Sequence, residues 1–338
     1  MHPFKAAMSV TALMALTAPA FAQEVNLYSS RHYDSDDALY AAFTEKTGIT
    51  INRIEAKADE LMARMEAEGA NSPADVFMTV DVGRISRAEE RGLLQPFESQ
   101  TIEANVPAHL RDDENLWTGL SQRARIIFYS KERVANPPRT YEDLADPAYK
   151  GQICIRSSSN IYNQSLMASV IETHGEVVAK DWAAGIVDNM AREPQGGDTD
   201  QLRGIVSGEC DIAVANTYYF ARGLAGDVDG LTSGIDGIGW VWPNQSGRGA
   251  HMNLAAAGIA ANAPNKAEAT ALLEFLVSDE AQAQFANANN EYPVVSGVPI
   301  GEHVAKMGLF IPDNDTPTAS FKAHAADAQT IFNEVGWD

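Results

Sequence analysis

The chain has 338 residues, of which 45% are hydrophobic and 21% are charged. This composition excludes a disordered or fibrous chain, and the length corresponds to about two domains. The 25 Lys and Arg residues are outnumbered by 46 Asp and Glu residues, so the formal net charge is -21. An acidic chain of this kind excludes nucleic-acid binding, which needs basic patches.

The first 22 residues have the pattern of a cleavable secretory signal. Lys5 is followed by an apolar run and then by Ala20-Phe21-Ala22, which matches the A-x-A cleavage pattern. A membrane anchor is the alternative, but the apolar run is too short to span a bilayer. We therefore expect export of a chain without membrane insertion. An oxidising compartment then permits a disulfide between Cys154 and Cys210, with two free thiols as the alternative.

Predicted strands and helices alternate along the chain. The predicted strands are 25–29, 49–54, 75–80, 123–130, 152–156, 210–215 and 254–259. The predicted helices are 36–47, 58–69, 82–92, 161–173, 177–190, 200–206, 267–277 and 280–287. Such alternation predicts an α/β fold with parallel sheets covered on both faces. Two such domains commonly close on a small ligand in the cleft between them.

Four of the ten tyrosines directly follow predicted strands, next to one histidine. The tyrosines are Tyr33, Tyr162 and the pair Tyr218-Tyr219, and the histidine is His32. Ligands of open α/β sheets bind beyond the carboxyl ends of the strands, where these side chains lie. Exposed tyrosines could form an aromatic platform for an organic solute, and a lone histidine is more often a loop residue. The combination of phenols and an imidazole favours a metal site.

The residue types favour Fe³⁺ among the metals. A hard cation prefers anionic oxygen donors, and a bound metal drives the proton off a phenol whose ordinary pKa is near 10. Zinc sites use Cys, His and carboxylates, and the sequence contains no D-x-D-x-D-G calcium loop.

Several segments resemble the periplasmic ferric-ion-binding proteins of bacterial ABC importers, in particular the cyanobacterial type. They are YSSRHYDSD (28–36), QRARIIFYSK (122–131), RSSSNIYNQSLMAS (156–169), ANTYYFARG (215–223) and GRGAHMNLAAAGIA (247–260). The resemblance covers essentially the whole chain after the signal. It implies a two-lobed type II periplasmic binding protein, each lobe a mostly parallel sheet flanked by helices, with the ligand in the cleft.

The resemblance also implies the ligands and the partners. The iron ligands would be His32, Tyr33, Tyr162, Tyr218 and Tyr219, with a water sufficing as the sixth ligand and Fe²⁺ as the alternative oxidation state. The partners would be an inner-membrane permease and its ATPase, and the protein would be a monomer without enzymatic activity.

The family's lobes are discontinuous. We expect residues 23–121 and about 250–305 in lobe one, and 122–249 and about 306–338 in lobe two. The chain would cross near 121–126 and again near 246–251, where Gly247 and Gly249 allow a bend.

Several charged residues lie near the tyrosine motifs in the sequence, and their positions predict their roles. Arg125 and Arg222 are expected to contact the ligands and offset phenolate charge, and Arg31 and Arg248 less so, because an arginine is more commonly in a surface ion pair. Asp34 and Asp198 are expected to be solvated.

The sequence leaves two other functions as alternatives. A binding protein for a polyamine, thiamine or a sugar would use the tyrosines as a platform, but a polyamine needs carboxylates, which the tyrosine motifs lack. An enzyme is disfavoured because the sequence contains no G-x-S-x-G, H-E-x-x-H or P-loop motif.

Overall fold

The computed structural model describes residues 23–31, 33–226, 228–314, 316 and 318–338. The predicted signal segment 1–22 and the predicted ligand His32 lie outside the described residues. Within the described part of the chain, no helix is both long and apolar enough to cross a membrane.

The described residues form ten strands and thirteen α-helices. The strands are β1 Glu24–Ser29, β2 Thr50–Glu55, β3 Val76–Thr79, β4 Leu94–Gln95, β5 Thr118–Ser130, β6 Ile153–Cys154, β7 Ile212–Asn216, β8 Ile238–Val241, β9 Met252–Ala260 and β10 Tyr292–Pro293. The first seven helices are α1 Asp36–Thr47, α2 Ala58–Glu68, α3 Val82–Glu90, α4 Gln100–Asn105, α5 Ile161–His174, α6 Glu176–Asn189 and α7 Asp198–Ser207. The others are α8 Thr217–Ala225, α9 Lys266–Leu276, α10 Asp279–Ala288, α11 Glu302–Ala305, α12 Thr318–Ala323 and α13 Ala325–Val335.

The strands pair in the order β2-β1-β3-β9-β5-β7-β6, with β4 on β9 and with β8 and β10 on β5. Pairing is parallel for β1 with β2 and β3, and for β6 with β7. The expected mostly parallel arrangement therefore holds for the outer strands only. In the middle, β9 runs antiparallel to β3 and β5, and β5 runs antiparallel to β7. Strand–helix alternation predicts parallel neighbours only for consecutive units, whereas β9 returns to the sheet from far along the chain.

The 13-residue strand β5 passes through both parts of the molecule. Its first half pairs with β9 from Thr118 to Ala124, and its second half pairs with β7 from Arg125 to Tyr129. Leu120 belongs to one buried apolar cluster, whereas Ala124 and Ile127 belong to two others. One strand thus connects separate cores.

The C-terminal segment contacts both sides. Phe321 of α12 is buried in the cluster that contains β1, β3 and β9, whereas Phe332 of α13 and Trp337 pack in a cluster with α5 and α6. Sequence reasoning predicted neither α12 nor α13.

Cys154 of β6 and Cys210, two residues before β7, form a disulfide with their Cα atoms 5.8 Å apart. Both residues are buried. The bond fastens the edge strand β6 to the chain that enters β7.

The predicted boundaries are accurate for α1 and short for β5, which begins at Thr118 instead of residue 123. Helix α8 was not predicted. It begins directly after β7, so Tyr218 and Tyr219, which were predicted to follow a strand, lie in the first turn of a helix.

Candidate metal centre

The four predicted tyrosine ligands come from three separate segments. Tyr33 follows β1, Tyr162 is the second residue of α5, and Tyr218 and Tyr219 are the second and third residues of α8. The side chain of Asn160 caps α5 by accepting a hydrogen bond from the Tyr162 N–H, at 3.1 Å. Capping of this kind satisfies a free amide at a helix start and fixes the first turn.

The structure brings these four side chains together. The hydroxyls of Tyr162 and Tyr218 are 3.2 Å apart. The rings of Tyr218 and Tyr219 lie 4.2 Å apart at 30°, and the Tyr33 ring lies 6.4 Å from that of Tyr218, nearly edge-on. Tyr162 and Tyr218 are buried, whereas Tyr33 and Tyr219 are half-buried. The four phenols therefore form one cluster.

Three of the four tyrosines line a cleft of about 630 Å³. Its walls include Tyr33, Tyr162 and Tyr219, and its cationic side chains are Arg84, Arg156 and Arg222. Among the lining residues of this cleft only Asp34 carries a carboxylate, and Asp34 is exposed, as expected. The cleft therefore suits anionic groups or the phenolates themselves rather than a polyamine.

Arg222 lies over three of the four rings. Its guanidinium carbon is 5.0 Å from the ring centre of Tyr33, 5.3 Å from that of Tyr218 and 5.9 Å from that of Tyr219. These distances are in the range of cation–π contacts, and the positive charge would offset phenolates at the same place.

The other predicted arginines differ in their surroundings. Arg125 is buried, with its guanidinium 5.9 Å from the Tyr162 ring. Arg31 is also buried, 4.8 Å from the Tyr33 ring, and pairs with Asp36 and Glu291, so it is not a surface residue.

Arg248 lies elsewhere, between Asp313 and Glu142. Sequence reasoning missed Arg123, which is 5.9 Å from the Tyr218 ring, and Arg156, which is 5.5 Å from the Tyr162 ring. Arg156 opens the quoted RSSSNIY segment and Arg123 lies in QRARIIFYSK, so their positions beside the tyrosine motifs were the available signal.

Asp198 was predicted to be solvated, and that prediction is wrong. The side chain is fully buried and pairs with Arg125 and Arg156. A carboxylate can be buried when arginines and backbone amides compensate it, and the sequence does not show which arginines are close.

Burial favours the protonated form of the Tyr33, Tyr218 and Tyr219 phenols in the absence of a cation, because it raises the pKa of each. It raises the pKa of Tyr33 to about 12, and the neighbouring Tyr162 phenol adds to the shift. The pKa values of Tyr218 and Tyr219 are raised well above the usual range for the same two reasons, burial first. A bound cation reverses this balance, because it favours the ionised phenolates.

Metal clusters of the usual type are absent from the described part of the chain. No group of three or more His, Cys, Asp or Glu side chains there could hold a metal ion.

The sequence profile of bacterial extracellular solute-binding proteins matches residues 71–308. The chain belongs to this family. Iron uptake protein A1 of Synechocystis is 49% identical over 320 residues, which cover 94% of this chain and 89% of that protein.

Solved structures agree with the family assignment. A Trichodesmium protein (IdiA, FutA) solved with iron and citrate ligands is 51% identical, with a TM-score of 0.88 over 93% of this chain and 100% of that one. The ferric binding protein of Campylobacter jejuni is 37% identical, with a TM-score of 0.89 over 93% and 100%. These matches confirm the resemblance found in the sequence and the two-lobed type II binding-protein fold.

Proposed function

We propose that this protein is the substrate-binding component of an ABC importer, which binds Fe³⁺ in the periplasm and delivers it to an inner-membrane permease and its ATPase. One observation carries the proposal. Tyr33, Tyr162 and Tyr219 line one cleft, and the buried Tyr218 lies beside them with its hydroxyl 3.2 Å from that of Tyr162. The names of the relatives, an iron uptake protein and a ferric binding protein, support iron as the cargo.

The ligand set matches the cargo chemically. Tyr33, Tyr162, Tyr218 and Tyr219 supply anionic oxygens to a hard trivalent ion, and His32 supplies an imidazole. A water completes the coordination, and Fe²⁺ is the alternative oxidation state. Arg222 and Arg125 offset the phenolate charge, since each lies within 6 Å of a tyrosine ring centre.

Iron would be held between two lobes, 23–121 with about 250–305, and 122–249 with about 306–338. Tyr33 belongs to the first lobe and the other three tyrosines to the second. Contacts across the cleft support closure around the ion: Ser165 of α5 donates a 2.9 Å hydrogen bond to Asp81, and Arg87 donates one of 2.9 Å to Gln164. The C-terminal segment packs on lobe one through the buried side chain of Phe321.

The signal peptide would direct export of the protein, which would act as a monomer. Iron would bind, the two lobes would close around it, and the closed protein would dock on the permease. Metal binding releases the phenol protons, so affinity falls as the pH drops. The protein needs no covalent chemistry for this role and would not be an enzyme. An organic solute is disfavoured, because arginines rather than carboxylates face the tyrosines.

A visible absorption titration of iron-free protein with chelated Fe³⁺ tests the proposal. Ferric phenolate absorbs in the visible by charge transfer, so we expect a coloured one-to-one complex that is lost in Tyr218→Phe and Tyr219→Phe. Tyr149→Phe is the control, because that hydroxyl is bonded to the Asn136 carbonyl away from the cleft. A folded, iron-free protein that stays colourless would overturn the proposal and favour a solute on an aromatic platform.

A further inference from the structure

The buried carboxylate of Asp198 lies behind the tyrosines at the start of α7. One of its oxygens accepts hydrogen bonds from Arg125 Nη1 at 3.1 Å and from the Asn216 N–H at 2.8 Å. The other lies 3.5 Å from Arg156 Nη1. Asn216 is the residue directly before α8, so Asp198 holds the backbone that leads into Tyr218 and Tyr219.

Arg125, on β5, contacts the residue before α8 and also the first turn of α5, the helix that carries Tyr162. Its Nη1 donates to Asn216 Oδ1 at 3.2 Å, and its Nη2 donates to Asn163 Oδ1 at 2.7 Å. Asn163 follows Tyr162 in the first turn of α5, and its amide donates to the Arg156 carbonyl at 2.7 Å. The Asp198–Arg125 pair therefore contacts the starts of both α5 and α8.

We infer that Asp198 and Arg125 are positioning residues, which set Tyr162 in register with Tyr218 and Tyr219 and thereby determine how tightly iron is bound. This inference rests on the proposed function. Asp198 does not face the cleft itself and contacts no phenol; it acts through Asn216, Arg125 and Arg156. A rigid surrounding shell matters because metal ligands must be held close to their productive geometry.

The burial of the pair is the second observation in favour of this role. The side chains of Arg125 and Asp198 are 1% and 0% exposed. Removing two charges from water is expensive, and apolar residues of similar volume would stabilise a fold equally well or better. The polar pair instead provides directed hydrogen bonds at two helix starts, which apolar packing cannot provide.

Asp198→Asn tests the inference in the full exported chain. We expect Fe³⁺ affinity, measured by competition with a chelator of known strength, to fall about 10- to 100-fold, as for other partners that orient metal ligands. We also expect the charge-transfer band to shift or weaken at iron saturation, because the phenolate geometry changes. A purely structural role would lower the unfolding midpoint and leave the band of the folded complex unchanged.

Asp211→Asn is the matched control. Asp211 also pairs with an arginine in the same half of the molecule, Arg133, but this pair is partly exposed and remote from the tyrosines. We expect its iron affinity and its band to equal those of the unmodified protein.

Asn163→Ala provides a milder variant in case Asp198→Asn does not fold. It removes the contact between Arg125 and α5, together with the hydrogen bonds of the Asn163 amide to the Arg156 and Ser157 carbonyls, but leaves the Asp198–Arg125 pair in place. We expect a smaller loss of affinity with the same direction of band shift. In a double-mutant cycle, Asp198→Asn and Tyr162→Phe should cost less together than the sum of their separate effects, because Asp198 acts in part through Tyr162.

The outcomes separate the two proposals. An unmodified protein that binds no Fe³⁺ would overturn the proposed function. An unmodified protein that binds Fe³⁺, with Asp198→Asn and Asn163→Ala both retaining its affinity and its band, would overturn only the positioning role.

Discussion

Two buried ion clusters lie behind the tyrosines, each with one carboxylate between two arginines. The Glu291 cluster comprises Glu291, Arg31 and Arg123, and the Asp198 cluster comprises Asp198, Arg125 and Arg156. The first lies beside Tyr33 and Tyr218, and the second beside Tyr162. Arginines paired with a carboxylate thus lie next to tyrosines on both sides of the cleft.

The clusters differ in charge and in hydrogen bonding. Both oxygens of Glu291 accept hydrogen bonds, from Arg31, from Arg123 and from Ser121 Oγ at 2.9 Å. Arg31 also pairs with Asp36, so two guanidiniums face two carboxylates and the charge is balanced.

In the Asp198 cluster, two guanidiniums share one carboxylate, which leaves one positive charge. One Asp198 oxygen accepts no hydrogen bond from the described residues. The comparison teaches that the Glu291 cluster is already neutral, whereas the Asp198 cluster has one positive charge left to offset a phenolate at Tyr162.

The largest expected effect is loss of stability in Glu291→Gln. Removing one partner of a buried ion pair costs about 3–5 kcal/mol; here Arg123 loses its carboxylate partner and Arg31 keeps only Asp36. Denaturant unfolding of the iron-free protein measures the loss. Asp198→Asn should lose less, because Asp198 accepts a hydrogen bond from only one of its two guanidiniums, that of Arg125, and Arg156 lies 3.5 Å away. Equal losses would contradict the difference between the clusters.

The pH dependence of that loss has a definite sign. Burial alone would raise the pKa of Glu291, but Arg31 and Arg123 hold it below the ordinary value. The stabilisation is therefore present above the ordinary glutamate pKa and is lost as the pH falls through the lowered value. Glu291→Gln should accordingly be closest in stability to the unmodified protein at low pH.

The next effect compares Tyr162→Phe with Tyr33→Phe. Both variants remove a proposed ligand, and we expect Fe³⁺ affinity to fall at least about 100-fold, since even residues that only orient ligands cost 10- to 100-fold. Tyr162→Phe should lose more, because its phenolate lies beside the cluster with the unbalanced positive charge. Chelator competition measures the order, and a larger loss in Tyr33→Phe would reverse the comparison.

Asp81 provides a buried carboxylate with hydrogen bonds but no paired arginine. It accepts from the Gly83 N–H, Ser165 Oγ and Asn253 Nδ2 at 2.8–2.9 Å, and burial raises its pKa to about 6. Because the folded pKa is raised, this group favours folding most below its ordinary pKa of 3.8, and the advantage is lost as the pH rises to about 6.

Asp81→Asn should therefore remove a pH dependence opposite in sign to that of Glu291. We expect the change in unfolding free energy between pH 4 and pH 6.5 to differ from that of the unmodified protein by at most about 2–3 kcal/mol. Denaturant unfolding at the two pH values checks this, and identical pH profiles would show that Asp81 titrates normally.

The smallest effect concerns Gly204 in α7, the helix that begins at Asp198. A Cβ added there would lie 2.8 Å from Cys210 Sγ and 3.0 Å from Cys154 Sγ. Such overpacking costs about 1–3 kcal/mol, so Gly204→Ala should unfold at lower denaturant. Gly237→Ala is the control, because nothing lies within 4 Å of its added Cβ. Equal midpoints in the two variants would show that the helix and the disulfide adjust freely.

Much of the fold and of the site follows from short-range patterns. Apolar spacing and a terminal glycine predict α1 with the bounds that the structure shows. The tyrosine motifs that follow β1, β6 and β7 can be recognised in the sequence itself. The family resemblance rests on these same motifs. His32 and the lobe boundaries remain predictions from the sequence.

The tertiary structure alone decided which carboxylates the buried arginines pair with. Arg31 pairs with Glu291, 260 positions away, and Arg125 pairs with Asp198, 73 positions away. The sequence placed Asp198 in solvent because no local pattern connects a carboxylate with an arginine on another strand. Periodicity records which face of an element is apolar, whereas the partners of a buried charge depend on how distant elements pack, as does the antiparallel return of β9 between β3 and β5.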